Sequence, residues 1–313
     1  MNTSSSGSLP SDRHGQQYVS VVPLLCGSIT LPEKSFVSDA NLDKKQTVPS
    51  MAFLATHPGP VAASGVNQVT KKKPFRILFD LGLRNCVKDY SSAVQKHLQN
   101  RQPYTLGQGA AAQLEAGGLY PDDIDMVILS HVHYDHHGDP AAFQKSTFVV
   151  SNRSLQLLEK GLEGLGSHQH FDPDLLPLDR TVELSSAAVG SSWEPIGPFD
   201  ASLDLFGDGT IYIVDAPGQL PGHINLLCRT GPGKFICLCG DAFHDKCLLT
   251  AEHDFAYWEN DDGHRLCIHT DPVRAQQTLK KLKILCDWGV DVVAAHDHDW
   301  LRRYQKAAFP NAK

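Results

Sequence analysis

Three imidazoles and one carboxylate fall within six residues, as His131, His133, Asp135 and His136 in the stretch Ser130-His131-Val132-His133-Tyr134-Asp135-His136. His131 and His133 stand two apart, so at the end of an extended strand they share one side. Asp135 and His136 follow where the chain would turn towards a helix. One short segment can therefore face two metal ions, with two ligands for each. Imidazole and carboxylate suit divalent zinc, with iron or manganese as alternatives.

Positioning such a cluster takes strands that end where the ligands begin. Residues 18–25 read as a first strand, and 75–81 as a buried strand running into Asp80-Leu81-Gly82. Residues 124–130 form the strand that delivers the histidines, and 147–151 a short strand before a helical stretch at about 154–161. Strands at 210–215 and 224–229 flank a Pro/Gly-rich turn, 234–240 ends at Asp241, and 291–295 ends at His296. Helices are expected at 110–116, stopped by Gly117-Gly118, and at 272–287, opened by Pro272. Residues 51–55 are a short apolar piece, a strand or a pocket-facing loop, inside a polar stretch at about 31–74. Asp80, His131, Asp241 and His296 thus each follow a strand, and His223 sits in a turn between two. Side chains leaving one edge of a layered α/β structure converge there.

The ordered set His131-x-His133-x-Asp135-His136, Gly222-His223, Gly240-Asp241 and Ala295-His296 resembles the metallo-β-lactamase-fold hydrolases, over roughly residues 75–300. Its surroundings are most similar to the lactonase branch: Phe79-Asp80-Leu81-Gly82, Ile128-Leu129-Ser130, Ala216-Pro217-Gly218 and Gly240-Asp241-Ala242. The resemblance implies an α/β fold, a four-layer αβ/βα sandwich. It implies two Zn2+ ions, one held by His131, His133 and His223 and the other by Asp135, His136 and His296, with Asp241 bridging and Asp80 orienting a ligand from outside. A bridging hydroxide would attack an acyl carbon, and Asp135 would pass a proton to the leaving group. His244 stands where a lactonase-like enzyme commonly places a tyrosine, and its imidazole can donate to a developing oxyanion. Gln219 stands where many relatives carry a histidine.

These residues point to the opening of a small cyclic ester (a lactonase) or of a cyclic amide or carbamate (a lactamase). The alternative on the same metals is a thioesterase of acyl-carrier or glyoxalase-II type. The latter adds a helical C-terminal region, whereas 17 residues follow His296 here. Isolated histidines among the 16 in the chain are more often structural, and His137, His168, His170 and His269 are read that way. His296 is preferred to His298 because it stands first after its strand. Phe255, Tyr257 and Trp258 either line a pocket or pack a loop onto the core, and residues 164–177 suggest a lid.

Composition narrows the rest. The 313 residues are 41% hydrophobic and 20% charged, enough for a sizeable core. A net charge of −7 argues against nucleic-acid binding, and Lys71-Lys72-Lys73 reads as a solvated loop. No run of about 18 apolar residues signals a membrane span. Residues 1–17 read as a disordered polar tail and 18–313 as a single hydrolase domain carrying the polar insertion. The eight dispersed cysteines read as reduced, buried thiols of a cytoplasmic protein. The expected partner is a small-molecule substrate, and the expected assembly a homodimer.

Overall fold

Two long strands, β1 (Ser20–Pro32) and β2 (Lys45–His57), pair antiparallel and start the first sheet. β3 (Phe75–Phe79) adds antiparallel to β2. Helix α1 (Ser92–Gln99), the short β4 (Thr105–Leu106) on the far side of β1, and α2 (Gly109–Ala116) follow. β5 (Met126–Ile128), β6 (Thr147–Val150) and β7 (Thr181–Glu183) continue parallel to β3, with α3 (Ser154–Lys160) between β6 and β7. The sheet order is β4-β1-β2-β3-β5-β6-β7. This computed structural model describes residues 8–62, 66, 70–163, 170–187, 192–304 and 308–309.

The second sheet gathers β8 (Glu194–Ile196), β9 (Phe199–Asp204), β10 (Ile211–Asp215), β11 (Ile224–Gly231) and β12 (Lys234–Leu238) as an antiparallel run. After α4 (Lys246–Leu249), the small hairpin of β13 (Trp258–Glu259) and β14 (Arg265–Leu266), and α5 (Pro272–Asp287), strand β15 (Asp291–Val293) joins β12 in parallel. Helix α6 (His298–Tyr304) is the last of the described helices.

Side-chain alternation makes the layers. On β2, Met51, Phe53 and Ala55 face the other sheet, among Ile77, Phe79, Ile128, Ile213, Leu226 and Leu238. Ala52 and Leu54 face the opposite way, with Leu78, Val127 and Phe148, onto Leu114 of α2 and Leu157 of α3. On the second sheet Val214, Leu227, Cys237 and Val292 meet Leu279, Leu282 and Leu285 of α5. Those leucines recur at helical spacing, and each buried one stabilises the layer by roughly 1.5–3 kcal/mol. Asp271 caps α5 by accepting the Arg274 N–H, with Pro272 in the first turn. Helix, sheet, sheet and helix stack into the four-layer sandwich expected from the motifs.

Two local expectations differ from the structure. The apolar piece at 51–55 is the middle of a thirteen-residue strand, β2. Its polar flank hid the pattern, yet Thr47 Oγ1 meets Thr30 Oγ1 at 2.8 Å and Ser50 Oγ donates to the Asp135 carbonyl at 2.8 Å. The second half of the expected tail is docked rather than loose. The buried Arg229 guanidinium meets Asp12, donates to the Pro10 carbonyl at 2.9 Å and to the Gly209 carbonyl at 2.9 Å. Residues 1–7 lie outside the described residues. All eight cysteines are free thiols, five of them buried. Among the described residues no helix is long and apolar enough to cross a membrane.

Candidate metal centre

Strand ends deliver the polar residues to one edge. Asp80 follows β3, Ser130 to His136 follow β5, Asp241 follows β12 and His296 follows β15. β11 runs antiparallel to β12, so His223, just before β11, arrives at the same edge. Gly240 makes that approach feasible. Its φ is +49°, and a Cβ there would stand 2.5 Å from Ser130 Oγ and 3.1 Å from His223 Nε2. His131, His133, Asp135, His136, His223, Asp241 and His296 are all buried.

Asp241 sits between two clusters. Its Oδ1 lies 3.1 Å from His136 Nε2 and 3.3 Å from His296 Nε2, whereas its Oδ2 lies 3.7 Å from His131 Nε2. His131 Nε2 is 2.9 Å from His133 Nδ1, and Asp135 Oδ2 is 3.6 Å from His296 Nε2. Two groups can therefore converge on an ion: His131, His133 and Asp241, and Asp135, His136 and His296. His223, expected beside His131 and His133, is not in the tighter first group. Its ring lies 5.2 Å from that of His131, and its Nε2 accepts the Asp241 backbone N–H at 3.2 Å.

The outer nitrogens explain how the rings are aimed. His223 Nδ1 faces the Ala216 carbonyl at 2.9 Å and His296 Nδ1 faces the Pro49 carbonyl at 2.7 Å. A carbonyl only accepts, so these Nδ1 atoms carry the hydrogens and the inner Nε2 atoms are directed into the cluster. His136 Nδ1 donates to Asp80 Oδ2 at 2.9 Å. The Ser130 hydroxyl donates to the same oxygen at 2.8 Å and faces His131 Nδ1 at 3.0 Å. Asp80 Oδ1 takes the Ser130 backbone N–H at 2.7 Å. Asp80 holds this post with φ of +60°, a left-handed conformation uncommon outside glycine.

Electrostatics sort the imidazoles into two kinds. Burial, with His136 and His133 adding to it, holds His131 well below the ordinary histidine range. Burial pushes His133 and His223 down to about 4. These three are neutral at pH 7, as ligands must be. Burial would lower His136 as well, but the Asp241 and Asp80 carboxylates outweigh it and raise that group well above its usual value. His296 is raised in the same sense by Asp241 and Asp135 against its burial. Burial would raise Asp241, yet His136, His244 and His296 hold it well below the carboxylate range. Asp135 is likewise lowered, against its burial, by His296 and His136.

The donor set fits divalent cations. His136 Nε2 and Asp241 Oδ1 are buried and face each other as an ion pair at 3.1 Å, with no well-formed hydrogen bond to any group. Buried polar atoms left in this way are expensive, and a cation between the clusters would satisfy both.

A narrow cleft opens on these residues, walled by Leu31, Phe36, Arg101, Tyr134, His244 and Ile268. His244 Nε2 lies 3.1 Å from Asp241 Oδ2, and Phe36 covers its ring at 4.5 Å. His269 stands behind it, 5.8 Å away, with Phe255 packed on it at 4.2 Å. Phe255 thus buttresses the wall, Tyr257 is exposed, and Trp258 is partly buried against the core. Phe171 stacks on His133 at 6.1 Å. Residues 164–169 of the expected lid, with His168, lie outside the described residues. His137 bonds its own turn through the Gly138 carbonyl, His170 packs near His97, and His298 turns away to Gln46. Arg101 and Phe36 reach the cleft from segments with no local motif, whereas Tyr134 is carried there by the histidine motif itself.

The metallo-beta-lactamase superfamily model matches residues 104–285. The chain is 29% identical over 247 residues to the cytochrome P450 monooxygenase mpaDE' of Penicillium brevicompactum, covering 71% of this chain and 28% of that protein. It therefore spans less than a third of that relative. It is 30% identical over 189 residues to the gamma-lactamase MBL2 of Gibberella moniliformis, covering 54% of this chain and 70% of the relative. The crystal structure of an N-acyl homoserine lactone hydrolase, with product N-hexanoyl-L-homoserine at its catalytic metal centre, superposes with a TM-score of 0.63. The match has 17% identity and covers 92% of this chain and 96% of that one, which shows the shared fold.

Proposed function

The chain belongs to the metallo-beta-lactamase superfamily, and within it we propose a metal-dependent hydrolase that opens a small cyclic ester or a cyclic amide or carbamate. The observation that carries this reading is Asp241, with one carboxylate oxygen turned to each of two ligand clusters. Two Zn2+ ions would be held by His131, His133 and His223 on one side and by Asp135, His136 and His296 on the other, with Asp241 shared. Iron or manganese would suit the same donors. Bound there, such ions supply Lewis acidity and make water a competent nucleophile at neutral pH.

The side chains do the rest. Asp80 and Ser130 hold the rings of His136 and His131 so that no reorganisation is needed when a substrate arrives. Asp135 is ionised and lies at the cleft floor, where it can take a proton from the attacking water and return it to the leaving oxygen or nitrogen. His244 Nε2 lies 3.1 Å from Asp241 Oδ2, and with that carboxylate engaged by metal the Nε2–H would be released to donate to the oxygen developing charge on the substrate. The apolar walls Leu31, Phe36 and Ile268 exclude water and suit a compact ring. The names of the lactam- and lactone-cleaving relatives support both halves of the reading.

The test is a panel of lactones, lactams, cyclic carbamates and thioesters, offered to the protein as purified, after metal stripping, and as Asp135→Ala. Ring opening that is lost on stripping, restored by zinc and reduced by Asp135→Ala supports the reading. Metal-independent turnover, or turnover of thioesters alone, overturns it.

A further inference from the structure

Gln219 is 2% exposed, and neither its Oε1 nor its Nε2 has a hydrogen-bond partner. It lines the same cleft as Asp241, His244 and Ile268. Its position is fixed, because its backbone carbonyl accepts the Thr270 N–H at 3.1 Å. Leaving a primary amide buried with both atoms unpaired is costly, so the group is suited to a ligand that pairs both. A carboxamide presents a donor and an acceptor side by side. Its complement is an acceptor and a donor side by side, which is the cis C=O and N–H of a cyclic amide or carbamate. A lactone carries only acceptors there and would leave Oε1 unpaired.

We infer that Gln219 is a specificity-determining residue that selects rings bearing an N–H next to the scissile carbonyl, cyclic carbamates and lactams, over lactones. This rests on the hydrolase reading above and narrows its substrate class. The reaction is one hydrolysis: the carbonyl carbon gains an oxygen from water, the ring C–N bond breaks, and the nitrogen leaves with a proton. A site built to pair a polar group discriminates far more strongly than an apolar pocket, because the wrong ring strands a buried partner.

Three rings of one skeleton test it: 2-benzoxazolinone, its N-methyl derivative, and 2-coumaranone, in which CH2 replaces N–H. The wild-type protein should favour 2-benzoxazolinone over the N-methyl ring by about 10-fold or more in kcat/KM, the scale of one stranded buried group. Gln219→Leu should collapse that preference, lowering 2-benzoxazolinone opening more than 2-coumaranone opening, because the lactone loses one hydrogen bond where the carbamate loses two. Binding gives a second readout. 2-Benzoxazolinone should raise the Tm of the metal-loaded and the metal-stripped wild type more than the N-methyl ring does, and Gln219→Leu should erase the difference. Gln219→Met keeps the side-chain length and should behave as Gln219→Leu does. Equal losses on all three rings in both variants, or no preference for N–H in the wild type, overturn the inference. Opening of 2-coumaranone without that preference leaves the hydrolase reading standing, whereas failure on every cyclic ester, amide and carbamate removes both.

Discussion

Asp80 accepts the Nδ1–H of His136 at 2.9 Å from a backbone held at φ +60°. The same carboxylate takes the Ser130 hydroxyl, which in turn faces His131, so one residue aims one ring of each cluster. The strained backbone is the cost of placing a carboxylate behind two imidazoles at a strand end.

Replacing that carboxylate should therefore weaken metal retention rather than folding alone. Asp80→Asn keeps the volume but loses an acceptor for His136 and Ser130. Metal affinity, measured by chelator competition, should fall about 10–100-fold, the usual effect of losing a group that orients a metal-binding histidine. Unchanged affinity would show that His136 is aimed without Asp80.

Acid should destabilise the metal-stripped protein in a defined window. His97, His133, His137 and His223 are pushed down to about 4, first by burial, and His131 and His269 lie well below the usual range for the same first reason. The unfolded chain binds protons at these positions near pH 6.5 and the folded chain does not until about pH 4. Unfolding then takes up protons, and stability falls as the pH drops from 6.5 towards 4. His136 and His296, whose values are raised, are protonated in both states below 6.5 and leave that slope alone. They contribute above it, where stability declines as pH rises through their folded values. The urea midpoint of the stripped protein should peak near pH 6.5, and a midpoint that keeps rising down to pH 4.5 would contradict the burial of neutral imidazoles.

Much of this site was legible in the chain because its signals are local. His131, His133, Asp135 and His136 sit within one turn of each other, and His223, Asp241 and His296 each adjoin an apolar strand whose end could be read. Asp80 was legible as a carboxylate orienting a ligand from outside but not as a residue at positive φ, which no side-chain pattern announces. Arg229 and Asp12 find each other across 217 residues, and a single long-range pair leaves no periodicity. Gln219 stood out only as a departure from a histidine common in relatives and His269 read as structural; that their polar side-chain atoms lack hydrogen-bond partners is revealed by packing alone. β2 was foreshortened because Lys45, Gln46 and Ser50 dilute a strand whose polar residues are satisfied by tertiary hydrogen bonds.

His244 offers a cleaner separation of chemistry from assembly. It borders the clusters without belonging to either metal-binding group. His244→Phe should retain bound metal and fold, yet lose about 100-fold in kcat on a lactone or carbamate, the scale of one oxyanion donor. His244→Tyr, which restores a donor, should recover part of that loss. Equal rates for His244→Phe and the wild type would remove the residue from the reaction.

Far from the site, Arg229→Met should lower stability by about 2–4 kcal/mol, since it deletes buried charge-assisted bonds to the Gly209 and Pro10 carbonyls. Deleting residues 1–17 should destabilise more than deleting 1–7. Equal urea midpoints for the two deletions would mean that the docked segment adds nothing.

The central claim is that Asp241 joins two metal sites into one hydrolytic centre. Its most direct measurement is the rate of ring opening as zinc is returned stepwise to the stripped protein, with bound metal counted by mass spectrometry at each step. Activity should keep rising until two equivalents are bound per chain, and Asp241→Ala should neither bind the second nor recover the rate. Full activity at one equivalent, or two tightly bound ions in Asp241→Ala with wild-type turnover, would contradict it.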